Sequence, residues 1–266
     1  MTSVSNAFLS EQEVMIRESA RRVASEVVAS TAAERDRSSA WPYDEIRAVA
    51  EVGFMGMLAP QAYGGAGLSF VEYCLAIEEF AAADGGFATL MHVHNSSAHV
   101  LRSFGTEEQM QLYLPELASA QRIGAFLLSE PHAGSDTAAI RTTAKRDGDS
   151  YVLNGSKQWI SNGSEAGFAL VVAATGAPGA RDRFSLFIAD PKDPGYECLR
   201  IENKLGQHTA HTGQLACAGE EHDWRGRARL WQGPLVAVRR PYRDRSAVHW
   251  HCPRCPGSRD PVREGA

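Results

Sequence analysis

Over the first 120 residues the apolar positions return at helical spacing. Ser10 and Glu13 stand in the S-x-x-E arrangement in which serine and glutamate cap each other's orphan amides, and Ile16, Ala20, Val23 and Val27 follow on one face. Pro42 suits a first helical turn, after which Ile46, Val49 and Val52 run to Gly53. "YGGAGLS" reads as a loop, and Ser69 with Glu72 opens the next helix through a second capping box. Leu90, His94, Ala98 and Leu101 share one face of a fourth helix that stops at Gly105. Thr106 with Gln109 begins a fifth, with Pro115 near its end.

From about residue 122 the period changes. "IGAFLLS", "YVL", "KQWI", "FALVVAAT" and "RFSLFIA" are short, apolar or alternating, and rich in aromatic and β-branched residues, which predicts strands. Asn154-Gly155 lies between two of them and predicts a type I′ hairpin turn. Gly148, Gly176, Pro178, Pro191 and Pro194 punctuate the rest. The expected fold class is α+β: an all-α domain over 1–121, a compact antiparallel β domain over 122–216, and a tail over 217–266 in which no period is legible.

Composition changes this picture only at the tail. The chain has 266 residues, enough for roughly two domains and a sizeable core, with 44% apolar and 22% charged residues. A net charge of −5 gives no reason to expect nucleic acid or an anionic membrane as partner. The N-terminus shows no basic region followed by an apolar run, and no apolar stretch approaches the ~20 residues that span a bilayer, so no membrane insertion is expected. Five scattered cysteines argue against a disulfide framework and for the cytoplasm. From Cys217 onward, however, there are ten arginines, no lysine, three of the five tryptophans and three of the five cysteines, so the tail is +4 and the rest −9.

The stretch with the most chemical potential is "FLLSEPHAGSD", residues 126–136. It leaves a strand and turns through small residues, offering hydroxyls, exposed amides and close backbone approach. Such a loop can hold a polar cofactor or a nucleotide pyrophosphate; taken by itself it is more often a polar inter-strand turn. No G-x-G-x-x-G after a strand and no P-loop is present. His92, His94 and His99 sit on one helix without a carboxylate or cysteine to complete a metal site, so burial or a helix face beside a pocket is the expected role.

Taken together, "YGGAGLSFVEYCLAIEE", "FLLSEPHAGSD", "YVLNGSKQWISNG" and "KLGQHTAHTGQL" resemble the acyl-CoA dehydrogenase family in order and spacing, over about residues 8–216. The resemblance implies an α-helical N-terminal domain, a β-barrel middle domain and a C-terminal four-helix bundle, the last missing here. It implies non-covalent FAD, an acyl-CoA substrate, an electron-transfer flavoprotein or similar acceptor, and a homo-oligomer. The implied reaction is α,β-dehydrogenation: a base takes the α-proton while the β-hydrogen leaves as hydride to the flavin. By position, Phe126, Leu128 and Ser129 resemble the strand beside the isoalloxazine ring. Gly134 and Ser135 resemble the turn at the pyrophosphate, with Ser135 also near the substrate. Trp159 resembles the indole packed on the flavin, and Ser161 the hydroxyl near its N5. "KLGQH" departs from the commoner form with Arg after "KLG", so that role is not carried over to His208.

The family's glutamate base belongs to the bundle, and no residue here is assigned as base; Glu220 and Glu221 are near in sequence but fall in "ACAGEEHDWRGRARLWQG", which does not match. A one-base shift of frame accounts for this: His222 to Trp231 can then read "MIGEEGRGFG", a family-like connector, and the later stretch reads as a bundle helix. On that account "HWHCPRC", residues 249–255, is an ordinary helix read out of frame. A zinc site at His249, His251, Cys252 and Cys255 would have unusual spacing, so no metal is expected. Three functional classes remain: a dehydrogenase impaired by a lost or frameshifted C-terminal part, a non-catalytic acyl-CoA-binding remnant, and a flavin oxidase or monooxygenase on the same fold.

Overall fold

A computed structural model describes residues 8–148, 150–177, 180, 183–193, 195–217 and 224–230. Six helices come first. Helix α1 (Glu11–Val23) opens with the expected capping box, and its path continues through a π-helical turn, Ala24–Val28, into α2 (Ala29–Ser38). Pro42 stands at the N-cap position of α3 (Tyr43–Glu51), one residue before the helix. Helices α4 (Phe70–Ala83) and α6 (Glu107–Ala118) begin with the predicted Ser69–Glu72 and Thr106–Gln109 boxes. The face of α5 (Gly85–Phe104) read from Leu90, His94, Ala98 and Leu101 is buried.

Arg35 ties the helical layer together. Its buried guanidinium donates to Glu45 (2.6 Å) on α3, to the Val28 carbonyl (2.9 Å) and to Asp84 (2.9 Å). Asp84 in turn caps α5 by accepting from the Gly86 and Phe87 amides. Phe54, Phe80, Phe87 and Met91 fill the core between these helices.

Eight strands follow: β1 (Gly124–Leu127), β2 (Thr143–Asp147), β3 (Ser150–Ser161), β4 (Phe168–Ala174), β5 (Phe184–Ala189), β6 (Tyr196–Ile201), β7 (Thr212–Cys217) and β8 (Trp224–Leu230). Pairing runs β4–β5–β8–β3–β2 and returns to β4 through Thr143 and Ala174, a closed ring consistent with the barrel expectation. The sheet is mixed where an antiparallel one was expected, because β1 lies parallel to β4 and β2 meets β4 in parallel. Apolar side chains of α5, α6, β4 and β5, among them Leu101, Leu114, Phe168 and Ile188, form a second core between helices and sheet.

Two further expectations are corrected. Asn154-Gly155 is not a hairpin turn; both residues lie inside the continuous strand β3. The turn falls instead at Gly148 (φ 60°), between Asp147 and its partner Ser150. Gly155 is required for space: a Cβ there would stand 2.5 Å from the Thr142 hydroxyl. The tail also contains a strand, since β8 pairs with β3 and β5. Its sequence, "WRGRARL", alternates arginine with uncharged residues, a period of two hidden by the overall basic composition.

Candidate functional site

The loop after β1 and the distal half of β3 lie side by side. Beyond Leu127 the chain turns at Pro131-His132, where Glu130 and Ala133 exchange backbone bonds of 2.8 and 3.1 Å. Asp136 then caps a short 3₁₀ turn, Thr137–Ala139, by accepting from the Ala138 amide (3.2 Å). Gly134 and Ser135 are exposed, and open space surrounds the Gly134 backbone. Phe126 and Leu128 are half-buried against Ala133, Ile140 and Val172, so their side chains anchor the strand from within. Strand β1 pairs with β4 on one edge, and no strand covers its other edge among the described residues.

Opposite that edge, β3 bulges between Lys157 and Ile160. Trp159 occupies the bulge in a left-handed conformation (φ 63°), unusual for a bulky residue, and the residue is 59% exposed. The Gln158 amide donates to the Ser129 carbonyl at 3.0 Å, joining loop and bulge. Ser161 closes the strand opposite Thr212. Of the seven residues singled out from sequence, Ser129 and Trp159 are thus brought together most directly, while Gly134 and Ser135 stand on the exposed part of the loop.

A buried ion pair underlies this arrangement. Lys157 Nζ donates to Glu130 (2.9 Å) and to the Leu128 carbonyl (3.0 Å), with both charged side chains withdrawn from solvent. Glu130 also accepts from the Arg141 amide (2.8 Å), the Thr142 amide (2.9 Å) and the Thr142 hydroxyl. Burial alone would raise the Glu130 pKa. The Thr142 and Arg141 donors, with the nearby ammonium, outweigh it and hold the carboxyl below its ordinary value. Sequence reading missed this pair, although a signal existed. Leu153, Lys157 and Ile160 all turn inward, so the lysine stands at a core position of an otherwise apolar strand face.

The histidines serve structure. His94 is fully buried; its Nδ1 accepts from the Gly124 amide (3.0 Å) and its Nε2 donates to the Leu117 carbonyl (2.9 Å). Burial lowers its pKa to about 4. His92 meets the Tyr73 hydroxyl at 2.8 Å, and His99 stacks edge-on against Phe70. His208 faces Asp36 at 3.0 Å. No cluster of three or more metal-ligating side chains occurs among the described residues. Glu220, Glu221, His249, His251, Cys252 and Cys255 lie outside them. No helix among the described residues is long and apolar enough to cross a membrane.

Comparison with known proteins bears on both halves of the chain. Residues 10–121 match the family model "Acyl-CoA dehydrogenase, N-terminal domain", and residues 125–218 match "Acyl-CoA dehydrogenase, middle domain". An acyl-CoA dehydrogenase of Bacillus subtilis (strain 168) is 36% identical over 208 residues, which is 78% of this chain and 55% of that protein. A glutaryl-CoA dehydrogenase from Mycobacterium smegmatis, solved in complex with FADH2, superposes with a TM-score of 0.73 at 33% identity, over 79% of this chain and 53% of that one. A chain of the electron transferring flavoprotein structure from Acidaminococcus fermentans gives a TM-score of 0.78 at 37% identity, over 86% and 61% respectively. The chain spans about half the length of the curated relatives it matches.

Proposed function

The chain belongs to the acyl-CoA dehydrogenase family, and from that premise we propose that residues 122–217 form the flavin half of an acyl-CoA dehydrogenase site. The observation that carries this reading is Trp159, an exposed residue held in left-handed backbone next to Gln158, whose amide bonds the Ser129 carbonyl in the loop after β1. Strained backbone clusters at ligand sites, and an aromatic side chain exposed at such a point is open to a ligand. Two more features fit a flat, phosphate-bearing cofactor such as FAD. Gly134 leaves its backbone open to close approach. Three residues on, the buried Thr137 hydroxyl has no hydrogen-bond partner among the described residues.

On this reading the Phe126–Ser129 backbone and the Ser161 hydroxyl would border the flavin ring, Trp159 would cover it, and Gly134 with Ser135 would hold the pyrophosphate. Ser135 would also face the thioester end of an acyl-CoA. Bound FAD supplies a hydride acceptor; the chain's own residues bind it, orient it and keep water from one face of the ring. The helical segment to residue 121 would form a separate domain from the sheet region beginning at 122, to which the tail contributes β8. An electron-transfer flavoprotein as acceptor and a homo-oligomeric assembly belong to the same proposal.

The family's base is assigned to no residue of this chain, so binding and turnover should separate. The 266-residue protein titrated with FAD should quench flavin fluorescence with a saturable Kd, and Trp159→Ala should weaken that Kd about tenfold. Butyryl-CoA and longer saturated acyl-CoA thioesters, offered with an artificial electron acceptor, should give little or no turnover. Failure of the purified chain to bind FAD would overturn the cofactor reading; turnover at rates usual for dehydrogenases would overturn the missing base.

A further inference from the structure

We propose that the buried Lys157–Glu130 ion pair is a positioning couple for the cofactor cradle, setting the Trp159 bulge and the 128–136 loop in fixed register. The proposal rests on the cofactor reading above only for what the cradle holds; the coupling itself is a property of the chain.

Three bonds cross between the two segments within three residues on each side. Lys157 Nζ reaches Glu130 and the Leu128 carbonyl, and the Gln158 amide reaches the Ser129 carbonyl. The bulge begins immediately after them. A non-glycine residue in left-handed backbone persists only when its surroundings over-determine it. Trp159 is mostly exposed, so its own ring contributes little to that constraint. The constraint comes from its neighbours on both sides: Ile160 and Ser161 are held by pairing with β7, and Lys157 is the buried anchor on the side that faces the loop.

Glu130 extends the anchor. Its bonds to Thr142 and the Arg141 amide fix the far end of the loop, and Gly155 packs closely on Thr142 from within β3. The carboxylate therefore gathers the start of the loop, its end and the strand opposite around one buried charge. A hydrophobic pair of similar size would fill the same space without specifying the distance between loop and bulge. Registry of this kind is the best-attested use of a buried ion pair.

The test uses the full 266-residue chain. Removing one partner strands a buried charge and threatens the fold, so the informative variant is the double substitution Lys157→Met with Glu130→Gln, which leaves neither charge bare. Thermal denaturation should stay close to the parent. Amide exchange in 128–136 and 157–161 should rise about tenfold while exchange in α1–α6 is unchanged, and the Kd for FAD should weaken about tenfold. Unchanged local exchange in a folded double variant would overturn the proposal, as would loosened segments with an unaltered FAD affinity. Should the double variant unfold, Lys157→Gln with Glu130→Gln, a neutral pair that can still hydrogen-bond, carries the same two readouts, with the same outcomes decisive. Should the parent bind no FAD, the cofactor reading fails, and exchange still decides whether the pair positions the two segments.

Discussion

At Trp159 two costs can be separated. The backbone sits at φ 63°, where a residue with a Cβ loses roughly 1–3 kcal/mol. Glycine adopts that conformation freely but adds roughly 0.5–1 kcal/mol of chain entropy to the unfolded state. The residue is 59% exposed, so removal of its side chain forfeits little burial. Trp159→Gly should therefore fold with a stability within about 1 kcal/mol of the parent in urea denaturation, while FAD affinity falls. A loss above about 2 kcal/mol would show that the indole is part of the core and has no spare surface for a ligand.

Among the elements, what was legible in the sequence was local, and what was hidden depends on distant partners. The capping boxes at Ser10, Ser69 and Thr106 each join residues three apart, so sequence spacing was enough to place those helix starts. Asn154-Gly155 misled because its glycine answers to Thr142, thirteen residues away and in contact only once β2 and β3 pair. Glu130 and Lys157 were unreadable as a pair for the same reason, being 27 residues apart. Strands β2 and β6 escaped notice because most of their residues are exposed, and β7 because its burial is set by the strands on either side of it and not by an apolar run. Arg35 follows the same rule, joining α2 to Glu45 on α3 and to the Asp84 cap of α5. Its loss should matter more than that of any exposed cap. Arg35→Met leaves two partly buried carboxylates without their partner and should cost about 3–5 kcal/mol. Ser10→Ala at the solvent-exposed cap of α1 should cost about 1 kcal/mol. Urea melts of the two variants, side by side, check the ordering.

For the whole molecule, the joint between helices and sheet is built on a neutral histidine, and this gives stability a pH dependence of definite sign. His94 links α5 to the first residue of β1 and to the end of α6, accepting at Nδ1 and donating at Nε2, an arrangement available only to the neutral ring. Its folded pKa of about 4 lies below the ordinary 6.5. Above pH 6.5 the ring is neutral in both states and titration contributes nothing. Between 6.5 and 4 the unfolded chain takes up a proton that the folded one refuses, so stability falls as pH falls. That interval, at about 1.4 kcal/mol per pH unit, amounts to a loss on the order of 3 kcal/mol by pH 4. Glu130 pulls the same way but later: its carboxyl is held below the ordinary value of 4.5, so its contribution is present above that pH and fades only beneath it. In the window from 6.5 to 5 only histidines act, and His99, whose pKa burial and Arg102 also lower, adds to the slope in the same sense. His94→Gln, whose amide can still donate and accept, should start from a lower stability at pH 7 and lose the larger part of the slope across that window in urea melts. A slope undiminished by the substitution would place the proton uptake elsewhere and make the α5–β1 joint indifferent to pH.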